Sequence, residues 1–243
     1  MTYCLGILLP QGLVLASDSR SNAGVDQVAQ VRKFDLFNLP GNRVIVILSA
    51  GNLATTQSVI SELRGAAGSG KTDDVHAARL MFEVARIVGD KLRDTVARDG
   101  PSVQPYGDPS GSFLVGGQIA GETPRLFQVY SAGNFIEASP RSVFLQIGET
   151  KYGKPILDRA LNPKTSLDEA AKLALLSFDA TMRSNLSVGM PIDMLRYETD
   201  SFSTANMTML KEDDPYWISL RSTYSEGLAQ LVRSLPTPPD WRH

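Results

Sequence analysis

Thr2-Tyr3-Cys4-Leu5-Gly6-Ile7-Leu8-Leu9 runs into Pro10-Gln11-Gly12, and Leu13-Val14-Leu15-Ala16-Ser17-Asp18-Ser19 runs out of it. Two apolar runs around a Pro-Gln-Gly turn read as an antiparallel hairpin. A hairpin of this length returns Asp18 to the neighbourhood of Thr2. Removal of Met1 would leave Thr2 carrying a hydroxyl nucleophile and a free α-amine, so the amine could serve as general base for its own side chain. Taken alone, Thr2 is an ordinary second residue. Asp18 at the far end of the hairpin and Lys33 just before the next strand-like run supply it with a charged pair.

Outward from the hairpin, Phe34 to Phe37 and Arg43 to Ser49 read as a second pair of strands, turned at Pro40-Gly41-Asn42. Val44-Ile45-Val46-Ile47-Leu48 is wholly apolar and mostly β-branched, which suits a strand covered on both faces. Leu53 to Leu63 switches to helical spacing, and Asp73 to Arg98 reads as a long helix with Val75, Ala78, Leu80, Val84, Ile87, Val88 and Leu92 in its apolar stripe. His76 falls on that helix, as a surface or interhelix residue. Asp99 to Pro109 reads as a loop rich in breakers. Phe113 to Ile119, Arg125 to Ser131 and Val143 to Ile147 read as strands, and Leu157 to Leu161 closes a short helix. Ser166 with Glu169 three residues on is a capping box opening a helix to about Thr181. Ile192 to Tyr197 and Ala205 to Leu210 read as late strands, Tyr216 to Leu235 as a last helix before Pro236, Pro238 and Pro239.

Strand runs sit apart from helix pairs rather than alternating strand by helix, which argues against a doubly wound parallel fold. That order predicts an α+β fold, a four-layer α-β-β-α sandwich of two antiparallel sheets flanked by helices. Residues 1–243 are expected to form a single domain, with a C-terminal helix and Pro-rich tail from about residue 215.

Composition narrows the function classes. The net charge of −2 gives no support for a nucleic-acid partner or an anionic membrane surface. No run reaches the roughly 18 apolar residues a membrane span needs. No Lys or Arg precedes Leu5–Leu9 and Pro10 splits the apolar run, which argues against a secretory signal. The single cysteine, Cys4, reads as a buried small hydrophobe and suits a reducing cytoplasm. Two histidines, His76 and His243, poorly supply a His-based triad or metal site, and no metal or cofactor is expected.

An α-amine titrates near 7.7–8.0, and a neighbouring lysine ammonium would lower that value while a carboxylate keeps the lysine charged. Gly51 ends the long apolar strand before a helix that starts near Asn52. Its N–H at a helix N-terminus is a natural oxyanion donor.

These residues carry a resemblance. Thr2, Leu15-Ala16-Ser17-Asp18-Ser19-Arg20, Lys33, Ser49-Ala50-Gly51, Phe113-Leu114-Val115-Gly116-Gly117 and Ser187 with Gly189 resemble a proteasome-type β subunit of the N-terminal nucleophile hydrolase superfamily, over nearly the whole chain. Within that family the sequence is most similar to the bacterial Anbu group, the proposed ancestral β subunit. The resemblance implies Thr2 as nucleophile and, through its amine, base. It implies Lys33 to tune the amine, Asp18 to pair with Lys33, Gly51 to offer the oxyanion N–H, and Ser187 to orient the amine or a water. Arg20 belongs to the same block. Ser21, Val31, Ser49 and Leu53 fall where the family lines its first specificity pocket, and their uncharged side chains suggest a small or medium apolar substrate residue.

Three departures from the family pattern stand out. Lys33 lies one residue closer to the threonine, Ser184 replaces an acid three positions before the late serine, and Gly148-Glu149-Thr150-Lys151 replaces a small Gly/Ser element. Glu149 is thereby a candidate substitute acid.

Gly65-Ala66-Ala67-Gly68-Ser69-Gly70-Lys71-Thr72 satisfies the phosphate-loop pattern in full. The residues before it, Ser61-Glu62-Leu63-Arg64, continue a helical pattern where that chemistry needs an apolar strand. The stretch therefore reads as a link between antiparallel helices, without ATP binding. The resemblance implies a cytoplasmic threonine hydrolase of amide bonds, peptides first, self-assembled into a ring or ring-like stack, with the Leu53–Leu63 and Asp73–Arg98 helices as contact faces. The alternatives are an amidase for a small non-protein amide and a non-catalytic self-assembling scaffold.

Overall fold

The computed structural model describes residues 1–22 and 28–239; His243 lies outside them. The opening hairpin forms from β1 (Tyr3–Leu9) and β2 (Gly12–Asp18), with Cys4 opposite Ser17 and Leu9 opposite Gly12. A short pair follows, β3 (Arg20–Asn22) and β4 (Val28–Gln30), and then β5 (Phe34–Leu39) and β6 (Arg43–Gly51). Helices α1 (Leu53–Ala66) and α2 (Met81–Val103) lead to β7 (Gly111–Ile119), β8 (Arg125–Val129), β9 (Phe135–Glu137) and β10 (Phe144–Gly148). The rest comprises α3 (Lys154–Ala160), α4 (Leu167–Ser184), β11 (Ile192–Glu198), β12 (Met207–Leu210) and α5 (Pro215–Ser234).

Apart from the two-stranded β3-β4 sheet, the strands assemble into two antiparallel sheets, ordered β10-β1-β2-β11-β12 and β5-β6-β7-β8-β9. Strand period decides the layering. Along β6, Ile45 and Ile47 face a core shared with Val59, Leu63, Val88 and Leu92 of α1 and α2. Val44, Val46 and Leu48 face a second core shared with Leu13 and Leu15 of the other sheet. A third core joins Tyr3, Leu5 and Val14 to Ala174 and Phe178 of α4, with Trp217 of α5 at its edge. Three apolar interfaces define four layers, as the element order predicts. Each fully buried Leu, Ile or Val contributes about 1.5–3 kcal/mol, and one central strand locks two interfaces at once.

The long helix differs from its sequence expectation at both ends. It begins at Met81, not Asp73, and runs on through Pro101 to Val103. The Asp74 carboxylate accepts from the N–H groups of Gly70 (2.9 Å) and His76 (2.7 Å), and its carbonyl accepts from Ala77 and Ala78. The Arg43 guanidinium donates to the carbonyls of Val75 (3.2 Å) and Ala78 (2.8 Å). These bonds fold residues 73–80 into turns that still bury Val75 and Ala78. His76 thus sits in a turn, its ring edge-on to Phe37, rather than on the helix. Pro101 lies within the last turn, where its ring removes one N–H and the helix closes with Gln104 N–H on the Gly100 carbonyl. The Ser166–Glu169 capping box is present as expected. No helix among the described residues is long and apolar enough to cross a membrane.

Helix α2 passes so close to the turn before β9 that a Cβ on Gly89 would stand 2.2 Å from the Gly133 carbonyl oxygen, whereas Gly227 in α5 faces open space. Helix propensity alone favours Ala over Gly by about 1 kcal/mol at either site. Gly89→Ala is expected to lower the denaturant midpoint and Gly227→Ala to hold or raise it; equal shifts in the two would contradict the close approach.

Candidate active site

Asp18 closes β2 with a carboxylate that is wholly buried. Its Oδ1 accepts from the Tyr3 N–H (3.0 Å) and the Lys33 ammonium (2.8 Å). Its Oδ2 accepts from the Arg20 and Gly189 N–H groups, both at 3.2 Å. Burial pushes the carboxyl up from its ordinary range; the Lys33 ammonium and the Tyr3 and Gly189 N–H groups pull it back. The Lys33 ammonium also donates to the Arg20 carbonyl at 2.5 Å. An ammonium has three protons, and among the described residues two of Lys33's are engaged.

Thr2 is buried just before β1, and its carbonyl accepts from the Glu149 N–H at 2.7 Å. This approach requires glycine at position 148: φ is +83°, and a Cβ there would meet the Thr2 oxygen at 2.0 Å. Next along β1, the Tyr3 hydroxyl shares a hydrogen bond with Ser177 (2.6 Å) and accepts from Gln146 (2.5 Å). Burial pushes this phenol up to about 12. Residues on both sides of the Thr2–Tyr3 peptide are therefore fixed by other elements.

A cavity of about 460 Å³ opens beside Thr2, with Met1, Lys33, Gly148, Gly51 and Ser49 among its walls. Gly51 ends β6, and the next residue, Asn52, caps α1 by accepting from the Thr55 N–H at 3.2 Å. The helix start thus lies at the cavity edge. Ser21 and Leu53 also line this cavity, whereas Val31 lines a different hollow with Ser19 and Asp193. The Cys4 thiol, on the strand beside the site, donates to the Ser49 carbonyl at 3.5 Å, and burial pushes its pKa up.

Ser187 lies on the loop between α4 and β11, held at three points. Gly189 donates to Asp18, and Arg20 donates to the Leu186 carbonyl at 2.9 Å. Asn185 Oδ1 accepts from the Ser187 N–H at 2.9 Å while its Nδ2 donates to the buried Glu149 carboxylate at 3.0 Å. Asn185 thereby ties the Ser187 loop to the Thr2–Glu149 corner, a role the sequence reading missed. Its signal was an Asn just past a helix C-terminus. Ser184 is the last residue of α4 and is exposed. The Gly65–Thr72 stretch is entered from α1 and leaves through turns, so the strand that a phosphate loop requires is not what feeds it. Among the described residues no group of three His, Cys, Asp or Glu side chains is placed to hold a metal ion.

Comparison with known proteins yields a family model, described as proteasome subunit, that matches residues 2–195. No curated protein sequence matches the chain. Among solved structures, Anbu (ancestral beta-subunit) from Yersinia bercovieri is 45% identical, with a TM-score of 0.93, covering 99% of this chain and 100% of that one. The helical assembly of the Anbu complex from Pseudomonas aeruginosa is 45% identical, with a TM-score of 0.94 and the same coverage. Anbu from a Hyphomicrobium species is 46% identical, with a TM-score of 0.87, covering 98% and 99%.

Removing one partner of a buried ion pair strands the other and costs about 3–5 kcal/mol. Asp18→Ala is therefore expected to unfold at markedly lower denaturant than wild type. The double change Asp18→Asn with Lys33→Met, which leaves no charge behind, should recover part of that loss, since the amide nitrogen that replaces one oxygen cannot accept from the Arg20 and Gly189 N–H groups. Equal destabilisation of the single and double variants would show that the pair is not what holds this corner.

Proposed function

The chain belongs to the proteasome subunit family, and on that premise we propose that it is a threonine-dependent hydrolase of amide bonds, peptides first, acting in the cytoplasm. The observation that supports this most is the buried Lys33–Asp18 pair at the wall of a cavity that also holds Thr2. Removal of Met1 converts the Thr2 nitrogen from an amide into an amine and clears one wall of the cavity. The Lys33 ammonium disfavours protonation of that amine, so near neutral pH it can accept a proton. As the Thr2 hydroxyl adds to the substrate carbonyl, its proton passes to the amine. The Gly51 N–H would donate to the developing oxyanion. The amine returns the proton to the leaving nitrogen, the C–N bond breaks, and an ester on Thr2 remains. Water then adds with the amine again as base, releasing the acid and regenerating Thr2. Ser187 and Glu149, joined through Asn185, would fix the amine and the water. Ser21, Ser49 and Leu53 offer an uncharged pocket for the acyl side chain.

We further propose that the chain self-assembles into a ring or ring-like stack. The P. aeruginosa relative forms a helical assembly. Here the exposed apolar side chains gather on α5, with Tyr216, Ile218, Leu228, Leu231 and Val232 each about half exposed. That makes α5, more than α1 and α2, the face that calls for a cover.

Four measurements test these proposals. Intact mass should show the protein lighter by one methionyl residue. An electrophilic peptide probe should add once, at Thr2, and the adduct should vanish in Thr2→Ala; equal labelling of that variant would leave the non-catalytic scaffold as the better reading. Lys33→Met should lower kcat/KM by about 10²–10⁴, measured in denaturant-free buffer where circular dichroism shows the destabilised variant still folded. For assembly, Leu231→Asp should reduce the native mass seen by light scattering, and an unchanged mass would exclude α5 as a contact.

A further inference from the structure

A second hollow, of about 450 Å³, is separate from the Thr2 cavity and holds a carboxylate that the proposed chemistry does not use. Asp193 is the second residue of β11, in register with Ser17 on β2 and Met209 on β12. Strand period puts its side chain on the face of Leu195 and Tyr197, at the end of the core between the sheets. The residue is only 5% exposed. Its one hydrogen-bond partner among the described residues is the Ser19 hydroxyl, at a long 3.4 Å. Directly across the strand pair, the Ser17 hydroxyl is buried with no partner among the described residues. Burial pushes the Asp193 carboxyl up, against the pull of Arg32 and Ser19. Arg32 lines the hollow but makes no ion pair with Asp193, and nearby Asp35 is engaged by Arg64 at 2.6 Å. Val31, Pro191, Met207 and Met209 give the hollow its apolar wall, and Gln30 and Thr208 complete the lining.

A buried carboxylate with one weak contact, at the base of an apolar-walled hollow, is complementary to a cationic head on an aliphatic stem. We propose that this hollow binds an alkylammonium or alkylguanidinium group, its N–H donors on Asp193 and the Ser19 oxygen and its stem along Met207, Met209 and Val31. The cation is either a free amine or the side chain of a basic residue in a peptide. The site stands on Asp193 and is independent of the Thr2 chemistry.

The test uses the Thr2→Ala protein, so that turnover plays no part. Titration calorimetry with agmatine should show binding, with pentan-1-ol as an uncharged control and Asp193→Asn each at least about tenfold weaker. Met209→Trp, which fills the hollow from β12 and keeps the Asp193 carboxylate in the sequence, should weaken binding similarly and decides the matter if Asp193→Asn does not fold. No heat with agmatine at millimolar concentration, or binding unchanged by Asp193→Asn or by Met209→Trp, overturns the proposal. A lysine-containing peptide that displaces agmatine where its norleucine counterpart does not would assign the hollow to a substrate side chain. Displacement by neither peptide would assign it to free amines.

Discussion

One carboxylate holds the active corner of this protein together. Asp18 has two oxygens and about four acceptor positions, and each is taken by a donor from a different stretch of chain: Tyr3, Arg20, Lys33 and Gly189. Those stretches are the start of β1, the start of β3, the approach to β5 and the approach to β11. They belong to both five-stranded sheets and to the β3–β4 pair. A charge this deep is tolerated only because its hydrogen bonds are complete, so burial, pairing and position form one constraint. Moving any one stretch leaves an ion without its partner.

The layers above and below supply the rigidity that such a constraint needs. Alternate residues of β6 feed the helix-facing and the sheet-facing cores, and the Tyr3 side chain reaches into the core under α4. Lys33 enters the site from the strand pair β5–β6 and Asp18 from the hairpin β1–β2, so their meeting depends on the two sheets packing face to face. The apolar strands therefore fix where the ammonium stands with respect to Thr2.

Much of this was legible in the chain itself. The Pro-Gln-Gly turn dictated a hairpin that returns Asp18 to Thr2, and the unbroken Val44–Leu48 run demanded cover on both faces. Ser166 with Glu169 marked a helix start by a local hydrogen-bond pattern. What escaped detection was governed by tertiary contact. Val75 and Ala78 keep helical spacing, yet Asp74 and Arg43 capture the backbone around them into turns. β3, β4 and β9 are each three residues long and carry no period. Asn185 works through two bonds to residues from separate elements, which no spacing rule encodes. Val31 borders the hollow of Asp193, whereas Ser21, Ser49 and Leu53 line the Thr2 cavity, a division that depends on how the sheets pack.

The clasp on the Thr2 carbonyl by the Glu149 N–H, with the Tyr3 N–H seated on Asp18, has a thermodynamic meaning. A residue at a chain end ordinarily frays, and immobilising it for reaction costs entropy at every turnover. Here folding has already exacted that cost. Under the proposed chemistry, trimming the residue ahead of Thr2 would uncover an amine on backbone already held on both sides, so the sheet rather than substrate binding would position its hydroxyl.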